Sequence, residues 1–162
     1  MPADPTDRAT EPRLLEVAET TTAVVRGNVA PAETIAFFDT SFGLLPSAIA
    51  AQNALITGPA LSRYGITQGP STELEVGFPV DRRISPDGVV VPGRLPAGRI
   101  ARVVHHGSFD ALGSSWERLR AWITDRGLGP ATERWEVYLT EPNPQMDPAD
   151  LRTELNWVIS PA

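Results

Sequence analysis

The side chains in this chain that could bind a ligand or catalyse a reaction are acidic and aromatic residues within short apolar stretches. Glu154 follows Thr153 and precedes Leu155, and Glu136 stands two residues before Tyr138. A carboxylate walled by aromatic rings suits a flat organic cation, because the negative charge and the ring faces both attract it. A carboxylate that activates water, beside a phenol that polarises a carbonyl, suits hydrolysis. Binding and hydrolysis are therefore the two chemistries to weigh.

Composition excludes several other kinds of site. The 162 residues include no cysteine, and all 14 basic residues are arginine. Disulfides, thiolate nucleophiles, Schiff-base lysines and P-loop lysines are therefore excluded. The only histidines, His105 and His106, are adjacent, so in a strand they point to opposite faces and cannot share a metal. Either histidine could act as a general base, but no spacing completes a triad. We expect no metal and no cofactor.

Net charge and hydropathy limit the classes of partner that the protein could bind. The chain carries 20 acidic against 14 basic residues, a net charge of −6, which is the wrong sign for attracting nucleic acid. No apolar run approaches the roughly 20 residues of a membrane-spanning helix. The polar start, Met1 to Pro12, lacks the pattern of a signal peptide. We expect a cytoplasmic protein without nucleic-acid or membrane partners, whose residues 1–13 form a disordered lead-in.

The chain also contains an internal repeat. Three landmarks recur in the same order: the Thr-Glu-Leu tripeptides at 72–74 and 153–155, Gly27 and Gly107, and the Gly-Pro pairs at 58–59 and 129–130. Such self-similarity indicates one module used twice. The length suits a single domain, so we predict one domain over 14–162, with copies at 14–80 and 98–160 linked by 81–97.

Each copy has the pattern strand, helix, strand, strand. In the first copy we predict strands at 23–29, 59–66 and 72–80. Its helix is indicated by an apolar stripe at spacings of 3 and 4: Ile35, Phe38, Phe42, Leu45 and Ile49. Pro46 lies inside this stripe and should kink or interrupt the helix.

In the second copy we predict strands at 98–106, 133–140 and 152–159. Ser108 is a plausible N-cap for the helix, and Gly127 ends it. The buried stripe of that helix consists of Leu112, Trp116, Leu119 and Ile123. A proline-rich, acidic loop from Glu141 to Asp150 joins the last two strands.

Alternation along the strands sorts their residues by face, because successive strand side chains point to opposite sides. The apolar sets that should face the helices are Leu155, Trp157 and Ile159, then Trp135, Val137 and Leu139, and then Leu74, Val76 and Phe78. This assignment sends Glu154, Glu136, Tyr138 and Glu73 to the other faces. We expect two antiparallel sheets whose second faces meet at a central cleft, where small ligands tend to bind.

The ordered motifs of the second copy resemble those of a known family. They are HGSFDAL at 106–112, WI at 122–123, GL at 127–128, EVYLTEP at 136–142 and TEL at 153–155. In order and spacing this set is similar to the GyrI-like small-molecule-binding domain, also called the AraC-type effector-binding domain, over about Leu14 to Ser160. The resemblance implies an α+β fold: a duplicated strand-helix-strand-strand module with two antiparallel sheets, two long helices and a central ligand cleft.

The resemblance also implies site residues and a function. In drug-sensing relatives the glutamate of the Thr-Glu-Leu-like motif pairs with cationic lipophilic ligands, which carries over to Glu154, and Tyr138 resembles a cleft-lining residue. The predicted ligand-binding residues are Glu154, Tyr138, Glu136, Trp135, Tyr64 and Glu73. The leading hypothesis is a stand-alone module that binds hydrophobic, planar, often cationic compounds and sequesters them. The alternative is a hydrolase of cyclopropane-containing alkylators that uses Glu154 and Tyr138, and only the family name indicates a third role, binding a protein such as DNA gyrase.

Overall fold

The computed structural model describes residues 11–140 and 145–161, and the chain divides into two compact units. The terminal unit comprises the chain up to Val17 and from Gly98 onward, and the middle unit comprises Ala18–Ala97. Residues 1–10 of the predicted lead-in, and residues 141–144 of the predicted acidic loop, lie outside the described residues. The first strand already begins at Arg13.

Two α-helices and eight strands make up the regular structure of the described residues. In chain order they are β1 (Arg13–Val17), β2 (Thr20–Val29), α1 (Thr34–Ala51), β3 (Leu61–Gln68), β4 (Ser71–Pro79), β5 (Val90–Leu95), β6 (Gly98–His106), α2 (Leu112–Asp125), β7 (Leu128–Tyr138) and β8 (Arg152–Pro161). Short 3-10 turns precede both helices and β8. The predicted α+β class is confirmed.

In the terminal unit the strands lie in the order β1, β6, β8, β7, and each neighbouring pair is antiparallel. Helix α2 packs against this sheet because its apolar residues recur on one face. The core between them consists of Ala101, Val103, Trp116, Leu119, Ile123, Leu155, Trp157 and Ile159. The predicted face of β8 and the predicted stripe of α2 are therefore correct.

In the middle unit the strands lie in the order β3, β4, β2, β5, again in antiparallel pairs. Helix α1 packs against β2 and β4, and Leu45 and Ile49 are its buried aliphatic residues. Leu74, Val76 and Phe78 of β4 join this core, as their alternation predicted. The segment 81–97, predicted as a linker, contributes β5, which pairs with β2 as an edge strand of the sheet.

Helix α1 differs from the sequence prediction in three respects. It continues through Pro46 without interruption. Ile35, the first residue of the predicted stripe, is 77% exposed, whereas Phe37 packs against the core and lies close to Gly27. The range Pro31–Ala51 is also long and apolar enough to meet the length and composition criteria for a membrane span, contrary to the sequence reading. Buried core helices and signal sequences meet the same criteria, and 17% of this range is buried in the structure.

Strand β7 corrects the predicted assignment of faces. Residues directly opposite each other in an antiparallel pair share a face. Glu136 lies opposite Leu155, and Trp135 lies opposite Asn156. Glu136 and Tyr138 therefore face α2, and Trp135 faces the other side with Glu154. The alternation rule failed here because residues on both faces of β7 are buried or half-buried. An apolar residue therefore does not show which face meets the helix.

Candidate functional site

The helix-facing side of the terminal sheet carries a buried carboxylate, Glu136. Only 3% of this residue is exposed. The indole N–H of Trp116, on α2, donates to Glu136 Oε1 at 2.9 Å, and the Tyr138 hydroxyl donates to Oε2 at 2.8 Å. Both donors are neutral, and Glu136 forms no ion pair among the described residues. A buried carboxylate without a cationic partner loses solvation that neutral hydrogen bonds only partly replace.

Two tryptophans stand beside this carboxylate. Trp116 and Trp157 meet edge to face, with ring centroids 5.3 Å apart and an interplanar angle of 84°. The guanidinium carbon of Arg134 lies 4.7 Å from the Trp116 ring centroid and 5.2 Å from that of Trp157. Arg134 lies opposite Trp157 across β7 and β8, so it shares the helix-facing side. We call Trp116 and Trp157 the tryptophan pair.

A polar cluster around His105 lies on the helix-facing side, near the start of α2. His105 Nε2 lies 2.9 Å from the carbonyl oxygen of Ser108, and His105 Nδ1 lies 2.6 Å from Ser115 Oγ. Because a carbonyl only accepts, Nε2 carries the hydrogen, and in the neutral ring Nδ1 accepts from Ser115. Arg118 Nη2 in turn donates to Ser115 Oγ at 3.0 Å. The imidazole is thereby fixed in one orientation.

Thr153, on β8, stands between His105 of β6 and Tyr138 of β7 in the sheet. It is completely buried, and its Oγ1 has no hydrogen-bond partner among the described residues. Buried hydroxyls are nearly always hydrogen-bonded, so an unpartnered one calls for an explanation.

A line of aromatic contacts connects the buried carboxylate with the surface. Phe109, in the turn before α2, is 40% exposed, and its ring meets that of Tyr138 edge to face at 6.0 Å. Tyr138 in turn contacts Glu136. The turn that carries Phe109 follows Gly107, whose φ of +112° is open to glycine but strained for other residues. The site therefore extends from Phe109 at the surface to the tryptophan pair inside.

Glu154, the predicted principal residue, lies on the opposite face of the same sheet. Its side chain is 18% exposed, and Arg102 Nε lies 3.3 Å from its Oε1. Asn156 Nδ2 donates to the same oxygen at 3.1 Å, while Arg102 Nε donates to Asn156 Oδ1 at 2.7 Å. The chain thus supplies the cation that was expected from a ligand. Trp135 is buried on this face, directly opposite Asn156.

His106 also faces away from α2, opposite Arg152. Neither of its ring nitrogens has a hydrogen-bond partner among the described residues. Burial lowers the pKa of His106 below its usual 6.5, and the positive charges of Arg152 and His105 lower it further. Elsewhere too, the described residues contain no group of three or more acidic or histidine side chains able to hold a metal ion.

The two remaining predicted residues belong to the middle unit. Tyr64 packs against the core under α1, whereas Glu73 is exposed on the other face of that sheet. The buried carboxylate of this unit is instead Glu75, which forms ion pairs with Arg26 and Arg63. Both arginines stand directly opposite Glu75 on the neighbouring strands.

Sequence analysis therefore named Glu136 and Tyr138 but assigned them to the wrong face of the sheet, and it did not identify the residues around them. Trp116 was assigned only to the core, and Arg134 and Ser115 were not singled out. The spacing Arg134, Glu136, Tyr138 was the available signal, because three polar or amphipathic residues at period two share one face of a strand.

Solved structures share this fold. The C-terminal domain of EcmrR superposes with a TM-score of 0.81 at 19% identity, covering 94% of this chain and 98% of that one. SAV2435 bound to tetraphenylphosphonium gives 0.68 at 11% identity, covering 93% and 94%. A hydrolase from Listeria innocua gives 0.66 at 13% identity, covering 93% and 92%. These identities support the fold alone.

The EcmrR chain solved in a DNA complex has a TM-score of 0.80 at 19% identity, and the present chain covers only 58% of its length. No curated protein sequence matches the chain. The model of the GyrI-like small molecule binding domain matches residues 10–159, which is nearly the whole sequence. With this match and the shared fold, the chain belongs to the GyrI-like small-molecule-binding domain family.

Proposed function

We propose that the protein binds small, hydrophobic, planar organic cations at the helix-facing side of the terminal sheet, with Glu136 as the counter-ion. The observation that carries the proposal is the state of Glu136: buried, held by two neutral donors and without an ion pair among the described residues. An organic cation would give this carboxylate the direct ion pair that it does not form with the described residues. The site would accept ligands of several chemical classes and so sequester different drugs.

The surroundings of Glu136 support the ligand class. The tryptophan pair offers two nearly perpendicular ring faces, and aromatic faces attract organic cations. Thr153 Oγ1 offers a buried hydrogen-bonding group for a polar substituent. One structural relative, SAV2435, was solved with tetraphenylphosphonium, itself a hydrophobic cation. Tyr138 and Phe109 would line the approach.

A fluorescence titration with ethidium, a planar aromatic cation, tests the proposal. Glu136→Gln preserves the shape and removes the charge, and we expect it to weaken ethidium binding by at least roughly tenfold. Glu154→Gln is the matched control, because it makes the same change on the other face of the same sheet. That variant should bind ethidium like the wild type.

The titration has two contrary outcomes. If Glu154→Gln weakens binding and Glu136→Gln does not, the ligand is held on the face that the sequence predicted, against Glu154 and Trp135. If neither the wild type nor any variant binds ethidium or tetraphenylphosphonium, the proposal is wrong.

Hydrolysis of strained cyclopropane compounds is the second candidate, favoured by the 2.8 Å contact between Tyr138 and Glu136. The Glu136 carboxylate would take a proton from water while the water oxygen attacks a ring carbon. The Tyr138 hydroxyl would redirect its one hydrogen from Glu136 to a carbonyl of the substrate. The carbon–carbon bond would break towards that carbonyl, and the proton held by Glu136 would then quench the enolate. Water is thus added across one bond. A product with the mass of one added water, lost in Glu136→Gln and Tyr138→Phe, would support this reaction.

The wider organisation of the protein is part of the same proposal. We infer that residues 14–162 form one domain that arose by duplication, because β2, α1, β3, β4 and β6, α2, β7, β8 follow the same order. The acidic balance favours a cytoplasmic protein that does not itself bind DNA, although one relative was solved in a DNA complex. No residue described above supports a gyrase-binding role.

A further inference from the structure

The tryptophan pair already encloses a planar cation, the guanidinium of Arg134. Its carbon lies 4.7 Å and 5.2 Å from the two ring centroids. These are distances at which a cation is attracted to an aromatic face. Two roughly perpendicular rings around one positive charge form the kind of cage that recognises organic cations.

Both rings of this cage are fixed in place. The indole N–H of Trp157 donates to the carbonyl oxygen of Ala131 at 2.7 Å. The indole N–H of Trp116 donates to Glu136 at 2.9 Å. Since each ring is held at its polar edge, its orientation is fixed before any ligand binds. The cage is therefore preorganised.

We infer that Arg134 is a specificity-determining residue whose guanidinium occupies the position of a ligand cation and competes with it. The inference rests on the proposed function. While Arg134 remains in the cage, a second cation beside Glu136 meets like-charge repulsion, which is severe where solvent is excluded. A cationic ligand must displace the guanidinium from the rings, and only ligands with enough flat apolar surface do so. Small aliphatic cations are rejected.

Replacing Arg134 by methionine tests this inference. Met keeps an unbranched apolar stem of similar reach but carries no charge. We expect Arg134→Met to bind ethidium roughly tenfold more tightly than the wild type, because the competitor is gone and Glu136 remains. The double variant Arg134→Met with Glu136→Gln should lose that gain. Tetramethylammonium, which the wild type should not bind, should become a measurable competitor of ethidium in Arg134→Met.

Arg126 provides a matched control. Its guanidinium carbon lies 4.0 Å from the centroid of the half-buried Trp122, and Arg126 itself is exposed directly after α2. Arg126→Met therefore removes the same kind of cation–aromatic contact and the same charge from the same unit. Ethidium affinity should not change in this variant. An equal gain in both variants would mean that net charge alone is responsible and would overturn the inference.

The remaining outcomes separate the inference from the proposed function. If the wild type binds ethidium through Glu136 and Arg134→Met binds no more tightly, Arg134 is structural and the inference is wrong. If no variant binds ethidium, the proposed function itself fails. Should Arg134→Met not fold, Arg134→Lys replaces it: lysine keeps the charge without the planar head, so it should give a smaller gain, and no gain would overturn the inference.

Discussion

The two helix–sheet interfaces of this molecule solve the same packing problem with different residues. Under α1 the contact is apolar: Phe38 and Phe42 stack at 6.0 Å, and Phe42 meets Phe78 edge to face at 5.6 Å. Under α2 the tryptophan pair packs beside a carboxylate and a guanidinium. Charged groups stabilise a core less well than apolar groups of similar size. Among the described residues, the middle unit has this architecture without such groups under its helix, and the proposed function gives the polar groups under α2 a role in ligand binding.

Equivalent positions make the contrast sharper. In the middle unit the β3 residue opposite Leu74 is Tyr64, and it packs into the core. In the terminal unit the β7 residue opposite Leu155 is Glu136. The aromatic ring of Tyr64 adds apolar surface to the core of its unit, whereas Glu136 places a carboxylate at the equivalent position of the other unit. Function commonly explains such a local loss of stability.

The two buried carboxylates differ in the same sense. Glu75 lies between Arg26 and Arg63, so its charge is neutralised by the fold. Within the part of the chain that the structure describes, Glu136 accepts only from an indole and a phenol. Glu75 therefore serves the sheet of the middle unit, whereas Glu136 has no such ion pair and is the counter-ion in the proposed function.

Truncating the apolar core of the middle unit should have the largest effect on stability. Leu45 of α1 is fully buried, and Leu45→Ala should lower the free energy of unfolding by about 2–5 kcal/mol. Urea denaturation followed by circular dichroism measures the change. Leu44→Ala is the control, because Leu44 is 46% exposed and its loss should change stability by about 0.5 kcal/mol or less.

Ethidium binding by the folded Leu45→Ala variant extends that prediction. Because the proposed site lies wholly within the terminal unit, the affinity should match that of the wild type at temperatures where the variant is folded. A reduced affinity would show that the middle unit contributes to the site, and the contrast between a structural and a functional interface would then fail.

Exchanging the two buried carboxylates for glutamine should have the next largest effect. Glu75→Gln removes the carboxylate charge that pairs with Arg63 and Arg26, and we expect a loss of about 1–3 kcal/mol, moderated because Arg26 is largely exposed. Glu136→Gln keeps an oxygen that accepts a hydrogen bond and removes a buried charge, so stability should change by less than about 1 kcal/mol.

Binding should show the reverse order for these two variants. Glu75→Gln should bind ethidium like the wild type, and Glu136→Gln should not. Thermal unfolding and the ethidium titration, made on the same preparations, give both quantities. If Glu136→Gln is the more destabilised of the two, the carboxylate under α2 serves the fold, and the comparison between the two units has to be abandoned.

Much of the fold was accessible from the sequence, whereas the site was accessible only in part. The predicted strand 98–106 coincides with β6, and the stripe from Trp116 to Ile123 is buried as expected, because helical periodicity and alternation are local signals. Which residues of β7 face α2 could not be predicted in this way, because Trp135 and Glu136 are adjacent in the sequence and both are buried. Which of them meets α2 depends on the register with β8, a nonlocal property. The pairing of Arg134 with the tryptophans follows from that register.

The smallest expected effect is a pH dependence of stability that arises at the two adjacent histidines. They lie on opposite faces of one sheet and so allow the two faces to be compared. His105 is hydrogen-bonded at both nitrogens, whereas His106 has no partner among the described residues. Burial, then Arg152 and His105, lower the pKa of His106 in the folded state, so between that value and 6.5 the unfolded chain binds more protons. Stability should therefore be complete above pH 6.5 and decrease as the pH falls below it, levelling off under the folded-state pKa.

Urea midpoints between pH 7.5 and about 5.5, above the range in which most carboxylates titrate, measure this slope. His106→Gln should flatten it, and an unchanged slope in that variant would show that His106 is not the source of the pH dependence.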